Sequence, residues 1–280
     1  MNLLMPFVLE NARFKGVYIG ADHVIDEILK CHSYHPTVEK VLAQAIVLAL
    51  ALSHSIKYTG VFSLQVRSSG PIQSLYVNVT HDKQVRAYAT YDAEKVALAE
   101  DMKNQTLFGN GELLFSVTQL GSEPYQGIVV LQGETLTDAV LDYFRLSEQI
   151  KTDLVLRQKD NETRCLMIQQ MPLSNDDDAI EIQDKYETAS VLMNSVKDTE
   201  LFYEKLAPEK LLYRLFHAND LTVYEPVNPV FSCPCHKDKM KKFLSRLQPS
   251  EREELYQEGE IVTECQFCQT QYVFKHEDFE

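Results

Sequence analysis

The order of hydrophobic and polar positions at the start of the chain predicts a strand followed by two helices. The strand is expected over residues 13–19, and Asp22 is expected to cap the first helix, which runs to Leu29. Thr37 is predicted to cap the second helix, over 38–53. Because this second helix is apolar on almost every side, we expect it to be the central buried helix of its domain.

After this helix the pattern changes to alternation of apolar and polar residues, which is typical of half-buried strands. Alternating segments at 62–66, 75–79 and 85–89 are separated by short turns such as Gly70-Pro71. They predict consecutive antiparallel strands in a meander rather than βαβ units. Further strands are predicted at 112–119, 127–131, 154–158 and 164–170, with a helix over 137–150. The predicted fold class is α+β, with an N-terminal mixed domain that holds an antiparallel sheet and a buried helix.

Beyond this domain the composition turns acidic and the helices become short. Asn175-Asp176-Asp177-Asp178 is predicted to be a solvated linker segment. Apolar positions at helical spacing around Leu192 and Leu211 predict two amphipathic helices. Such short helices cannot bury their apolar faces alone, so we expect them to pack on the first domain or on the C-terminal one. The predicted units are an α+β core domain, a helical linker and a small C-terminal domain, over 1–174, 175–230 and 231–280.

The C-terminal segment carries four of the six cysteines, in two close pairs separated by the 29 residues 236–264. The pairs are Cys233-Pro234-Cys235 and Cys265-Gln266-Phe267-Cys268. Four soft sulfur ligands in two such pairs can close a tetrahedron around a d¹⁰ ion. We therefore predict one zinc ion bound by Cys233, Cys235, Cys265 and Cys268. The C-x-C spacing also allows local disulfides, so a redox switch is a second hypothesis from spacing.

The rest of this segment is predicted to form a scaffold for the cysteines. A short helix is expected over 240–247, and Ser250 with Glu253 is predicted to form a capping box for a second one that ends at Gly259. Strands over 261–264 and 271–274 should form a hairpin whose turn is a zinc knuckle. His236 could contribute a nearby positive charge, although four sulfurs already complete a metal shell.

A second group of possible ligands, Cys31, His32 and His35, lies between the first two helices. One sulfur and two nitrogens could bind a metal, but a fourth ligand is not evident, so surface or capping roles are favoured.

Composition narrows the function classes. The 280 residues carry a formal net charge of −14, and residues 231–280 hold seven Lys or Arg against ten Asp or Glu, which disfavours a nucleic-acid zinc finger. The N-terminus lacks the basic region of a secretory signal, and no apolar run reaches membrane-spanning length. Cys31 and Cys165 are isolated, as is usual in a reducing compartment. We therefore predict a cytoplasmic location. Because no phosphate-binding loop, G-x-S-x-G or H-E-x-x-H motif occurs, the sequence does not predict an enzyme.

Several segments resemble the redox-regulated heat-shock chaperones of the 33 kDa chaperonin (HslO) family over nearly the whole length. In the last unit the resemblance rests on C-x-C followed by C-x-x-C with aromatic neighbours, and His236-Lys237-Asp238 stands where the family usually has Ser-Arg-Glu. The segments of the first unit that carry it are Ser63-Leu64-Gln65-Val66, Ser69-Gly70-Pro71, Val85-Arg86-Ala87-Tyr88, Tyr125-Gln126-Gly127-Ile128-Val129, Tyr143-Phe144-Arg145-Leu146-Ser147-Glu148-Gln149 and Gln169-Gln170-Met171-Pro172.

The resemblance implies an ATP-independent holdase that is inactive when reduced and zinc-loaded. It implies that oxidants convert Cys233–Cys235 and Cys265–Cys268 into disulfides, after which the metal leaves and the C-terminal unit and linker unfold. Unfolding proteins are the implied clients, the core domain the implied client-binding unit, and a homodimer the implied active form. The alternatives are a constitutive zinc-binding interaction module and a thiol oxidoreductase that uses Cys233 and Cys235.

Overall fold

A computed structural model describes residues 1–119, 121, 123, 125–173 and 177–279, and the predicted α+β class is confirmed. In chain order the strands are β1 (Asn2–Leu9), β2 (Phe14–Ala21), β3 (Gly60–Ser68), β4 (Ile72–Thr80), β5 (Gln84–Tyr91), β6 (Gly111–Gln119), β7 (Tyr125–Val130), β8 (Thr152–Lys159), β9 (Glu162–Gln170), β10 (Leu221–Val223), β11 (Val230–Phe231), β12 (Glu260–Glu264) and β13 (Gln271–Lys275). The helices are α1 (Asp22–Leu29), α2 (Pro36–Ser55), α3 (Ala93–Ala97), α4 (Asn104–Phe108), α5 (Leu136–Tyr143), α6 (Ala179–Asn194), α7 (Asp198–Leu201), α8 (Pro208–Phe216), α9 (Lys237–Leu244) and α10 (Pro249–Glu253).

Two sheets enclose the long helix α2. One sheet has the order β10-β1-β2-β9-β8 and the other β11-β5-β4-β3-β6-β7. The meander of β3, β4 and β5 is confirmed, whereas the division of the strands between two sheets was not evident from alternation. Apolar rows of both sheets pack against α2, so the helix is buried on nearly every side, as its sequence predicted.

By length and composition, α2 is the one helix among the described residues that could cross a membrane. In this fold 72% of its apolar window is buried, and the core helices of soluble proteins pass the same test.

The linker helices α6 and α8 lie on the outer face of the sheet that contains β1. The ring of Phe216 from α8 stacks on Phe7 at 5.6 Å between centroids, and Tyr186 from α6 stacks on Phe14 at 4.9 Å. The linker therefore packs on the first domain. Buried apolar side chains form this contact from both sides: Met5, Phe7, Phe14, Tyr18, Leu166 and Ile168 of the sheet, and Ile182, Ala189, Met193, Leu211, Leu212 and Phe216 of the linker.

Beyond α8 the chain is attached to both sheets before it reaches the first cysteine pair. Strand β10 pairs antiparallel with β1, and Val227 forms an isolated bridge with Leu4. Strand β11 then adds a parallel edge to β5 and ends at Phe231, two residues before Cys233. The cysteine segment thus begins at an edge of the second sheet.

The predicted acidic linker is only partly described. The boundary at 174/175 and Asn175-Asp176 lie outside the described residues, so the division into units stays a prediction. Asp177 forms an ion pair with Arg13 at 3.2 Å, and Asp178 caps α6 by accepting from the amides of Ile180 and Glu181. The described half of this acidic stretch is therefore engaged in the fold.

Three predicted helix caps are wrong. His35, not Thr37, caps α2, with its Nδ1 accepting from the Thr37 amide at 3.2 Å. The capping box of α10 is formed by Gln248 and Glu251 instead of Ser250 and Glu253. In both cases a proline occupies the first helical position, a place that suits its fixed φ, and the helix begins earlier than predicted. Asp22 is the first residue of α1 and instead forms an ion pair with Arg164.

Candidate metal centre

The two cysteine pairs are held by different parts of the C-terminal unit. Cys233 and Cys235 lie between β11 and α9, whereas Cys265 and Cys268 lie in the turn between β12 and β13. The Cys265 amide donates to the Thr270 carbonyl at 3.0 Å, and the Gln269 amide donates to the Cys265 carbonyl at 2.8 Å. This tight turn points both of its sulfurs toward the first pair, and the predicted hairpin is confirmed.

The four sulfurs lie within 4.8 Å of one another, and within the described chain they are the group that could hold a metal ion. Cys233 Sγ is 3.7 Å from Cys265 Sγ, and Cys235 Sγ is 3.3 Å from Cys268 Sγ. A zinc tetrahedron with Zn–S bonds of about 2.3 Å has sulfur–sulfur edges of about 3.8 Å. Both the donor set and the observed separations therefore fit a thiolate-bound zinc ion.

Polar neighbours contact two of the sulfurs. The Tyr272 hydroxyl donates to Cys235 Sγ at 3.1 Å, and the Thr270 hydroxyl lies 3.2 Å from Cys268 Sγ. Burial acts to raise the pKa of Cys268, but hydrogen bonds from Thr270 and the neighbouring thiols outweigh burial and lower this pKa to about 7. Burial raises the pKa of Cys233 and of Cys235. Without a cation, Cys233 and Cys235 therefore favour the thiol form, and a bound metal would supply the positive charge that stabilises their thiolates.

The protein core beneath the cysteines is small. Its buried cluster consists of Leu244 from α9, Ile261 from β12 and Phe274 from β13. Below roughly 40 residues of chain, disulfides or metals are usually needed for stability, and a unit of about fifty residues with so few buried side chains is close to that limit. The fold of the C-terminal unit is therefore expected to depend on its metal ligands.

The turn that carries Cys265 and Cys268 also contacts the first domain, which the sequence did not reveal. Phe267 packs against aromatic side chains of β4 and β5, and its carbonyl oxygen lies 3.3 Å from His32 Nε2. Burial, followed by the nearby Cys268 and Cys265 sulfurs, raises the pKa of Cys31. No local pattern could have predicted these contacts, because more than 230 residues separate His32 from Phe267.

The structure does not assemble Cys31, His32 and His35 into a metal-binding group within the described residues. Their roles are local: Cys31 donates to the Glu27 carbonyl, His32 stacks on Tyr34, and His35 caps α2. His236 occupies the N-cap position of α9, outside the group of four sulfurs. Cys165 is buried in the main core, and burial raises its pKa.

The fold and the four-thiol site together define a two-sheet α+β protein with a C-terminal unit able to hold a metal. The family model described as Hsp33 protein matches residues 2–275, and the chain belongs to this family of chaperones. It is 30% identical to the 33 kDa chaperonin of Aeromonas salmonicida, covering 100% of this chain and 94% of the relative, and 31% identical to that of Pectobacterium carotovorum, covering 98% and 93%.

A solved structure supports the fold. The crystal structure of the 33 kDa chaperonin from Thermotoga maritima matches with a TM-score of 0.83 at 19% identity, covering 99% of this chain and 96% of that one. This match confirms the α+β class, and the family model with the two chaperonin relatives confirms the resemblance to heat-shock chaperones.

Proposed function

We propose that this protein is a redox-regulated, ATP-independent holdase that protects unfolding proteins from aggregation under oxidative stress. Cys233, Cys235, Cys265 and Cys268 hold one zinc ion per chain in the reduced, inactive state. Oxidation to two disulfides, Cys233–Cys235 and Cys265–Cys268, activates it. The observation that carries the proposal is the convergence of these four thiols within 4.8 Å, in a chain of the Hsp33 family.

The free energy of zinc binding supports the unfolding of the C-terminal unit when its cysteines are oxidised. A structural zinc site contributes about 10–16 kcal/mol of apparent free energy, and holds its cysteines as thiolates when bound. A whole small domain is stable by only about 5–15 kcal/mol. Because the unit has a buried cluster of only Leu244, Ile261 and Phe274, losing its four ligands removes more stability than that cluster can replace.

The redox step balances with two equivalents of oxidant. Each disulfide forms when two thiolates lose two electrons. These electrons, with two protons from water, reduce hydrogen peroxide to two waters, or, with one proton, reduce hypochlorous acid to chloride and water. In the reduced protein sulfurs of different pairs contact each other, Cys233 with Cys265 at 3.7 Å and Cys235 with Cys268 at 3.3 Å. Disulfides within each pair therefore replace the four-sulfur arrangement, and added thiols reverse them.

The linker carries the effect of unfolding to the first domain. Strand β11 ends two residues before Cys233, so unfolding of the C-terminal unit frees the segment that fixes the linker to β5. The helices α6 and α8 then lose their attachment on one side. The surface they cover, including Phe7 and Phe14, is apolar and suits unfolding polypeptides.

The partners follow from this chemistry. Clients are unfolded or partly folded proteins, and the freed apolar surface also favours a homodimer in the oxidised state. The net charge of −14 keeps the unfolded form soluble and disfavours nucleic acid as a partner. Oxidisable thiols of this kind require a reducing environment at rest, so we place the protein in the cytoplasm.

The test is suppression of aggregation of a heat-denatured protein by reduced and by hypochlorite-treated samples. Wild type and Cys31→Ser, a matched thiol outside the site, should suppress aggregation only after oxidation, whereas Cys268→Ser should lose this oxidant-dependent gain. Equal suppression by the reduced, zinc-loaded wild type would indicate the constitutive interaction module instead. Turnover of a small thiol substrate would indicate the oxidoreductase.

A further inference from the structure

Phe267 points away from its own unit and into the first domain. Its ring centroid lies 4.8 Å from Tyr88 and 5.8 Å from Tyr76, with both pairs edge-to-face, and the Arg86 guanidinium lies 4.0 Å from the ring centre. Phe267 is not part of the buried cluster of the C-terminal unit. Its packing is therefore a contact with the sheet, and we name Tyr76, Arg86 and Tyr88 the aromatic cradle.

The aromatic cradle is built by strand register. Tyr76 on β4 lies directly opposite Tyr88 on β5, and their rings stack at 5.9 Å. The next pair in register is Asn78 and Arg86. The Asn78 amide is oriented with its nitrogen toward Ser63 Oγ, to which it donates a hydrogen bond. The Asn78 amide oxygen then accepts hydrogen bonds from Arg86 Nε at 3.2 Å and Nη2 at 3.0 Å. Arg86 is thus held in position, and the cradle does not depend on Phe267 for its shape.

The cradle is one end of a longer row across the sheet face that points away from α2. Register places Tyr88 opposite Tyr76, Tyr76 opposite Gln65, Gln65 opposite Leu114 and Leu114 opposite Ile128. Ile128, at the far end, is 56% exposed. Phe267 therefore lies at the Tyr76–Tyr88 end of a row that continues through Gln65 and Leu114 to the exposed Ile128.

We propose that the aromatic cradle is a docking site for aromatic side chains of unfolded polypeptides, and that Phe267 occupies it as an internal ligand in the resting state. The inference rests on the proposed function for the class of partner, an unfolded polypeptide. The geometry of Phe267 shows which side chains fit the cradle. A suitable side chain is an aromatic ring whose face packs on the Arg86 guanidinium and which also packs edge-to-face with the two tyrosine rings. A leucine side chain has similar hydrophobicity but offers no π face to Arg86.

The position of Phe267 in the chain links the cradle to the metal centre. It lies between Cys265 and Cys268, so any rearrangement of that turn displaces its ring. His32 Nε2, at 3.3 Å from the Phe267 carbonyl oxygen, contacts the same turn from the first domain. Displacement of the turn therefore opens the cradle at the same time as it disrupts the four-sulfur group.

The test opens the cradle without oxidation. Reduced, zinc-loaded Phe267→Ala is compared with wild type and with Phe243→Ala, which removes an exposed phenylalanine of the same unit. The probe is a fluorescein-labelled, unfolded Gly/Ser-rich polypeptide that carries phenylalanines. The control probe is the same polypeptide with leucines in place of the phenylalanines. We expect Phe267→Ala to bind the phenylalanine probe about tenfold more tightly than either control protein, with a smaller gain for the leucine probe.

A second variant separates the cradle from general loosening. Phe267→Ala combined with Arg86→Gln should lose most of the gain, because the guanidinium is gone while a polar side chain remains beside Asn78. Phe267→Leu, which preserves apolar volume at the turn, should give an intermediate gain with full zinc content. The inference is overturned if zinc-retaining Phe267→Ala binds no better than wild type, if both probes bind equally, or if Arg86→Gln has no effect.

These outcomes do not depend on the redox switch, because every sample is reduced. If the oxidised wild type fails to hold a heat-denatured client, the proposed function is overturned. The cradle proposal is still tested separately, by the binding of the probes to reduced Phe267→Ala.

Discussion

The hydroxyl of Tyr272 lies 3.1 Å from Cys235 Sγ and donates a hydrogen bond to it. This bond, together with burial, raises the pKa of Tyr272 to about 12, so the hydroxyl keeps its proton at neutral pH. Polar groups that contact metal ligands in this way orient the ligand and typically change metal affinity by about 10- to 100-fold. Tyr272 is therefore a positioning residue for the candidate metal centre.

We predict that Tyr272→Phe lowers zinc affinity by about tenfold, because the Cys235 thiolate loses a hydrogen-bond donor. The measurement is competition with a chromogenic chelator under reducing conditions. Tyr256→Phe is the matched control, since the Tyr256 ring packs on His276 in the same unit at 3.8 Å. Equal zinc affinities for Tyr272→Phe and Tyr256→Phe would refute this role.

The linker contact can be weakened without touching a thiol. Phe216 is fully buried on the first sheet and stacks on Phe7, so Phe216→Ala should remove about 3–5 kcal/mol of packing energy. We expect the reduced protein to show faster proteolysis within the linker and to suppress aggregation in part without oxidant.

The control for this prediction is Tyr213→Ala, which removes a 65% exposed ring from the same helix. It should leave proteolysis and aggregation suppression at the wild-type level. Increased proteolysis of Phe216→Ala without any gain in suppression would show that the surface beneath the linker does not hold clients.

A buried ion pair fixes α1 to β9. Arg164 is 3% exposed, and its Nη1 lies 2.6 and 2.8 Å from the two Asp22 oxygens. Asp22→Asn leaves this guanidinium buried without its main counter-charge, so we predict a loss of about 3 kcal/mol in the free energy of unfolding by urea. Asp26→Asn, on the exposed side of the same helix, should cost less than about 0.5 kcal/mol. Similar values for both variants would contradict the prediction.

His54 makes stability depend on pH. Burial, with the positive charges of Lys83 and Lys15, lowers its pKa from 6.5 to about 4. Above pH 6.5 both the folded and unfolded states hold a neutral His54; as pH falls from 6.5 toward 4 only the unfolded state gains the proton, so stability is lost. The full effect is about 3 kcal/mol.

Urea unfolding of wild type and His54→Gln between pH 7 and pH 4 measures this contribution. The variant should lose less stability than wild type over this range, and His81→Gln, at an exposed histidine near Lys83, should follow wild type. Parallel curves for His54→Gln and wild type would exclude the His54 contribution.

The sequence was informative where a pattern is local. The largely apolar segment 38–53 predicted the buried helix, and the two cysteine pairs predicted a group that the fold does bring together. Strand β1 was not predicted; its segment contains Pro6, which lacks an amide proton, a feature that normally argues against a central strand. In the structure Pro6 lies opposite Val17 of β2, and its carbonyl accepts from the Tyr224 amide at 2.9 Å, so the strand continues through the proline.

Contacts between distant segments could not be predicted. Strands β10 and β11 comprise three and two residues, too few to show alternation, although they fix the linker to both sheets. The packing of Phe267 on Tyr76 and Tyr88 joins segments about 180 to 190 residues apart and depends on the final register of β4 and β5. Such contacts are properties of the folded chain, and no single segment encodes them.

The most direct test of the central claim is a titration of the reduced, zinc-loaded protein with hypochlorite, in which zinc release, disulfide formation and client holding are recorded on the same samples. Peptide mapping should find Cys233–Cys235 and Cys265–Cys268, about one zinc should leave per chain, and holding of a heat-denatured client should rise in step with both. Zinc release and complete disulfide formation without client holding, or client holding while zinc is retained, would contradict the claim that these four cysteines control chaperone activity.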